Sequence, residues 1–126
     1  MDGQSLSLSY GRGHLPIDLP EGAVPTVIRK RPLPKIADPQ AAVEAALEAP
    51  IDAAPLSQLA RGRRSACILI CDITRPVPNR LFLGPMARTM IDAGIPRENI
   101  VILIATGLHR PNLGDELAEL IGDPWV

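Results

Sequence analysis

The sequence predicts an α/β fold: a parallel βαβα core with a β-hairpin-like N-terminal lead-in. Three observations predict it. Two uninterrupted small-and-apolar runs, Ser-Ala-Cys-Ile-Leu-Ile-Cys at 65–71 and Asn-Ile-Val-Ile-Leu-Ile-Ala at 99–105, have the length and composition of strands buried on both faces. Each run is followed by a segment with apolar residues at helical spacing, and strand, helix, strand, helix in that order builds a parallel sheet with right-handed crossovers. The first thirty residues instead alternate apolar and polar positions, as paired strands do.

In that lead-in, Leu6, Leu8 and Tyr10 alternate with polar residues, as do Leu15, Ile17 and Leu19, and Gly11-Arg12-Gly13 supplies the turn. A short third strand is expected around Thr26-Val27-Ile28. Arg31-Pro32-Leu33-Pro34-Lys35 is an extended connector, because each proline keeps the residue before it out of the helical region. Asp38-Pro39 opens a helix with a capping carboxylate and a proline at the first helical position; alanines carry it to Glu48, and Pro50 stops it. A second short helix runs from Pro55 through Leu56 and Leu59 to Gly62. After the first apolar run, Leu83, Met86, Ala87, Met90 and Ile91 mark a helix from about Asn79 to Ala93, with Gly94 as its stop. Gly84-Pro85 delays the regular part of that helix to Pro85. Asn112 caps a last helix bearing Leu113, Leu117, Leu120 and Ile121, which ends at Gly122. Residues 1–31 are thus the lead-in, 32–64 a helical connector and 65–126 the core. Asp123-Pro124-Trp125-Val126 follows the last helix with no polar tail, an ending expected of a truncated chain.

The 126 residues suit one domain, with 46% apolar residues but only 2% aromatic, so Leu, Ile, Val and Ala must form the core. A net charge of -1 offers no global attraction to nucleic acid or acidic membranes, and neither is expected as a partner. Arg61, Arg63 and Arg64 lack interleaved aromatics and read as a solvated turn. No apolar run approaches the ~20 residues of a membrane helix, and residues 1–10 lack a signal core. Cys67 and Cys71 lie four positions apart on one strand, ~13 Å on the same face, beyond the ~7 Å that a disulfide spans. They read as small buried apolar side chains in a cytoplasmic protein. No dinucleotide fingerprint, Walker loop, metal-spaced His/Cys cluster or nucleophile elbow is present.

Parallel strands bring their carboxyl ends to one sheet edge, where open α/β sheets bind ligands. Asp72-Ile73-Thr74-Arg75-Pro76 follows the first run, and Ala105-Thr106-Gly107-Leu108-His109-Arg110 ends the second. The residue types suit a small anion. Arg75 presents a planar fork that matches a carboxylate or phosphate. Asp72 can orient that guanidinium, bind a ligand hydroxyl or simply cap the next turn. Thr74 offers one hydrogen bond, Gly107 permits close backbone approach, and His109 can take and return a proton near neutrality. Arg110 fits a ligand or a salt bridge to the last helix equally well. His14, beside the glycine turn, reads as solvated.

The Asp-x-Thr-Arg-Pro-x-Pro segment Asp72 to Pro78 and the Ala-Thr-Gly-x-His-Arg segment Ala105 to Arg110, with Tyr10-Gly11 and Ile17-Asp18-Leu19-Pro20, resemble the N-terminal domain of nickel-dependent lactate racemase and its 2-hydroxyacid racemase and epimerase relatives. The resemblance implies one half of a two-domain isomerase that uses a nickel pincer nucleotide tethered to a lysine. The cofactor takes a hydride from the substrate α-carbon and returns it to the opposite face of the keto acid. It further implies that His109 is one of two acid/base histidines and that Arg75 orients the substrate carboxylate. Asp72, Thr74 and Gly107 would line the cofactor and substrate cleft. The second histidine, the tethering lysine and the nickel ligand are expected outside this chain, in a C-terminal domain of the same protein; Lys30 and Lys35 lie in no matching motif. The fragment alone is therefore expected to be inactive. Two other readings stand beside this one: a stand-alone domain that binds an anionic ligand without catalysis, and a cofactor-free isomerase with His109 as its only base.

Overall fold

The computed structural model describes residues 5–126; residues 1–4 of the lead-in lie outside the described residues. The chain separates into two units with the boundary after Pro34.

The first unit holds the expected hairpin. Strands β1 (Ser5–Tyr10) and β2 (Gly13–Asp18) pair antiparallel, with Leu6 opposite Ile17 and Leu8 opposite Leu15. The expected strand at Thr26-Val27-Ile28 does not form, and residues 23–36 carry no regular structure. Pro25 lacks the N–H that a ladder needs at the start of that segment.

The second unit carries the core. Helix α1 (Pro39–Glu48) begins as the sequence dictates: the Asp38 carboxylate accepts the Ala41 N–H at 3.0 Å, and Pro39 occupies the first turn, where its missing N–H costs nothing. Helix α2 (Leu56–Ala60) follows Pro55. Strands β3 (Ala66–Cys71) and β4 (Ile100–Ala105) pair in parallel, Ala66 opposite Ile100 through Cys71 opposite Ala105. Between them run helix α3 (Asn79–Asp92) and a single 3₁₀ turn at Arg97–Asn99. Helix α4 (Asp115–Ile121) ends on Gly122, whose φ of +66° suits a residue without Cβ.

Three expectations need correction. Helix α3 is continuous from Asn79, with Pro85 inside it rather than at its start. Gly84, having no Cβ, relieves the clash that normally keeps a residue before proline out of the helical region. The same absence lets Asp123 approach, since a Cβ on Gly84 would stand 2.6 Å from the Asp123 carboxylate. Asn112 does not cap α4: Gly114 holds that position without a side-chain bond, and Asn112 spends its amide elsewhere. Finally, the apolar strands are covered on one face only. Ile68 and Ile70 join Ala60, Leu83, Met90, Ile95 and Leu120 in one buried cluster. On the other face Leu69 is 66% exposed, Val101 55% and Leu103 52%, and Cys67 and Cys71 are exposed rather than buried. The helices α2, α3 and α4 all contribute to the first face. The cysteines are free, as their spacing requires.

Two polar devices tie α3 to the end of the chain. Asn79, almost wholly buried, donates its amide to the Leu120 carbonyl at 2.9 Å and so satisfies an acceptor in the last turn of α4. The Trp125 ring lies under two guanidinium groups, Arg88 at 4.3 Å and Arg97 at 4.8 Å, and Arg97 also donates to the Trp125 carbonyl at 2.7 Å. No helix of the described residues is long and apolar enough to cross a membrane.

Candidate functional site

The site forms where β3 and β4 end. Asp72 is the first residue beyond β3 and is nearly inaccessible, 3% exposed. One carboxylate oxygen accepts both the Thr74 hydroxyl at 2.6 Å and the Thr74 N–H at 3.2 Å, so Asp72 does cap the turn that follows it. Its backbone carbonyl accepts the Arg75 N–H at 3.1 Å, which tightens the same turn. The other carboxylate oxygen meets Nδ1 of His109. An ionised carboxylate only accepts, so Nδ1 carries the proton and donates it, leaving Nε2 as the free nitrogen of the ring. The Thr74 hydroxyl first, and then the His109 ring, hold the Asp72 carboxyl below the usual carboxylate range.

His109 arrives by a turn after β4 in which its N–H donates to the Thr106 carbonyl at 2.9 Å. Gly107 sits inside that turn with φ +57°, and nothing lies within 4 Å of where its Cβ would stand. The backbone there is open to a ligand. The His109 side chain is 53% exposed while its Asp72 partner is buried, so the ring is anchored at one end and accessible at the other. Asp72, Arg75, Gly107 and His109 share the lining of one open cavity of about 450 Å³ with Cys71, Ala105, Thr106 and Leu108. The larger apolar cavity beside α4, lined by Ile102, Leu117 and Val126 among others, contains none of the motif side chains.

Four of the five sequence-derived site residues therefore meet at one cavity, and the fifth, Thr74, reaches it through Asp72. Asp72 does not orient the Arg75 guanidinium; its oxygens are engaged by Thr74 and His109. Arg75 is exposed and makes no side-chain hydrogen bond or ion pair among the described residues. Arg110 turns away to a bidentate pair with Glu116, both contacts at 2.6 Å. His14 is exposed on β2, as expected of a solvated residue.

Asn112 is the participant that sequence reasoning misassigned. Its Oδ1 accepts the Ile73 N–H at 3.2 Å, and its Nδ2 donates to Glu116 at 3.2 Å. The spacing of Asn112 and Glu116, four apart, was the available signal, but it reads equally well as an ordinary helix-start pair. The Arg110 guanidinium, aided by the Asn112 amide, lowers the Glu116 carboxyl from 4.5 to about 2. A carboxyl whose folded pKa lies below its unfolded value stabilises the fold fully above the unfolded value and loses that contribution as pH falls. Stability is thus expected to decline between about pH 4.5 and 2 more steeply in the native chain than in Glu116→Gln, in thermal melts recorded across that range.

Comparison with known proteins places the chain in a family. Residues 10–126 match the family described as the lactate racemase N-terminal domain. The chain is 34% identical over 124 residues to a lactate racemase of Thermoanaerobacterium thermosaccharolyticum, covering 97% of this chain and 29% of that protein. It is 38% identical over 87 residues to a lactate racemase of Lactiplantibacillus plantarum, covering 69% of this chain and 20% of that protein. The chain thus spans less than a third of the length of these relatives, and the residues matched by the family, 10–126, include both loops of the cavity. On these grounds the chain belongs to the lactate racemase N-terminal domain family.

Proposed function

We propose that these residues form the N-terminal domain of a 2-hydroxyacid racemase or epimerase, with lactate as the type of substrate, and that they supply its carboxylate clamp and one acid/base. The observation that carries this reading is His109, held through Nδ1 by buried Asp72, beside the unpaired guanidinium of Arg75 in one cavity. Arg75 binds the substrate carboxylate with two parallel N–H donors and fixes the orientation of the neighbouring carbon. His109 Nε2 accepts the proton of the C2 hydroxyl and later gives it back, while Asp72 stabilises the imidazolium that exists in between.

A cofactor of the nickel pincer kind supplies the hydride acceptor when bound. The side chains here fit the rim of such a group and not its metal. The open backbone at Gly107, within the turn that carries His109, can lie against a ring or phosphate, with Asp72, held by Thr74, in the same lining. Among the described residues no three His, Cys, Asp or Glu side chains come together, and neither Lys30 nor Lys35 lies in a matching motif. The metal ligand, the tethering lysine and the second base are assigned to the remainder of a protein of the relatives' length, a C-terminal domain. Residues 1–126 alone then bind without turning over. The cytoplasm is the compartment in which the exposed Cys67 and Cys71 thiols stay reduced.

The test uses the complete gene product that contains these residues, loaded with cofactor and offered the D and L forms of several 2-hydroxy acids. Interconversion of at least one pair is expected, and Arg75→Ala should raise KM about 10- to 100-fold, the loss of a charge-assisted hydrogen bond. Absence of racemisation with every acid would sink the reading. Binding of the acids without turnover would favour an anion-binding domain instead.

A further inference from the structure

We propose that Asn112 is a positioning residue for this reaction: by bridging the loop that carries Asp72 and Arg75 to the loop that carries His109, it fixes the carboxylate clamp relative to the acid/base. The inference rests on the proposed function for its kinetic consequence, and on geometry alone for its structural one.

The β3–β4 ladder ends at Cys71 opposite Ala105. Beyond it the backbone bonds of the two loops are local: Arg75 N–H to Asp72, Val77 N–H to Arg75, Thr106 N–H to Ile104 and His109 N–H to Thr106. Two contacts among the described residues cross between the loops. One is His109 with Asp72, whose imidazole is half exposed and must change charge during a proton transfer. The other is the Ile73 N–H on Asn112 Oδ1, made by a residue only 6% exposed. Ile73 stands next to Asp72 in the chain, so the hydrogen bond that locates its N–H also locates the carboxylate.

An amide is the group this position requires. Oδ1 must accept from a backbone N–H while Nδ2 donates to Glu116 Oε2, an oxygen that also accepts from the bidentate Arg110 guanidinium. Alanine offers neither. A carboxylate of the same shape would accept from Ile73 but face Glu116 with a second negative oxygen. Arg110, six residues before Glu116 and one after His109, completes a frame: Ile73, Asn112, Glu116, Arg110. The two motif loops are joined through that frame, and the His109–Asp72 contact is made inside it.

The test compares Asn112→Ala, Asn112→Asp and the double exchange Asn112→Asp with Glu116→Gln in the complete gene product. The exchange restores a donor opposite the new acceptor and leaves Arg110 one oxygen of residue 116 to donate to. Two readouts are needed: kcat and KM for racemisation, and the tautomer of His109 seen by ¹⁵N NMR after histidine labelling. Asn112→Ala is expected to lower kcat/KM about 10-fold or more, and to turn the single Nδ1–H tautomer into a mixture. Asn112→Asp should do the same at neutral pH, and the double exchange should recover part of the loss. Should the alanine variant fail to fold, the isosteric Asn112→Asp and its rescue carry the test. A kcat/KM within twofold of the native value, an unchanged tautomer in Asn112→Asp, or a double exchange no better than the single would overturn the proposal. Failure of the native protein to racemise any acid strikes the proposed function only, because the tautomer readout does not depend on turnover.

Discussion

Replacing His109 with glutamine in the complete gene product is expected to lower kcat for racemisation by about 10²- to 10⁴-fold, the range that a positioned acid/base contributes. Glutamine can still donate an amide hydrogen toward Asp72, so the buried carboxylate keeps a partner and the loop keeps its shape. What it lacks is a nitrogen that accepts and releases a proton near neutrality. Because Arg75 stands on the other loop and keeps its guanidinium, KM should change little, which is the pattern of an interaction made only in the transition state. Steady-state kinetics in both directions provide the measurement. A kcat within threefold of the native value would remove His109 from the reaction.

Truncating Leu83 to alanine should produce the largest loss of stability of any single core change, about 2–5 kcal/mol. Leu83 is fully buried at the centre of the cluster that joins α2, α3, α4 and the covered face of β3. The side chains of that cluster are anchored on β3 and three helices, which limits their collapse into the cavity left behind. Urea titrations should show the shift as a lower midpoint at similar slope. Leu69→Ala is the internal control. That residue is also a leucine on an apolar element, but it is 66% exposed, and its truncation should cost no more than ~0.5 kcal/mol. Equal losses in the two variants would mean that the covered and open faces have been assigned wrongly.

The contrast between Leu83 and Leu69 also marks what the sequence could and could not convey. Strand identity, order and direction were legible, because a run such as Ile68-Leu69-Ile70 between turn residues admits few alternatives. Coverage was not: a continuous apolar run is compatible with two buried faces, and only the packing of the helices shows that Ile68 turns inward while Leu69 does not. Helix starts set by local chemistry, as at Asp38-Pro39, were readable to the residue. The start of α3 near Asn79 was readable too, but its regularity before Pro85 was not, because Gly84 removes the usual penalty there. At the site, the meeting of Asp72, Arg75, Gly107 and His109 followed from strand direction alone. Their pairing did not. That Asp72 takes His109 rather than Arg75, and that Asn112 reaches Ile73 across 39 positions instead of capping α4, are three-dimensional choices between hydrogen bonds of equal local merit.

The setting of Trp125 has a practical consequence for any study of this chain in solution. It is the single tryptophan in the sequence, and its ring rests under guanidinium groups from the middle of α3 and from the 3₁₀ turn before β4. Fluorescence excited on the red side of the absorption band therefore originates at one address, the seam between the last residues and the crossover helix. Circular dichroism averages over every helix instead. A denaturation curve followed by both methods dates the peeling of residues 123–126 separately from the melting of the core, without a label and without a substitution.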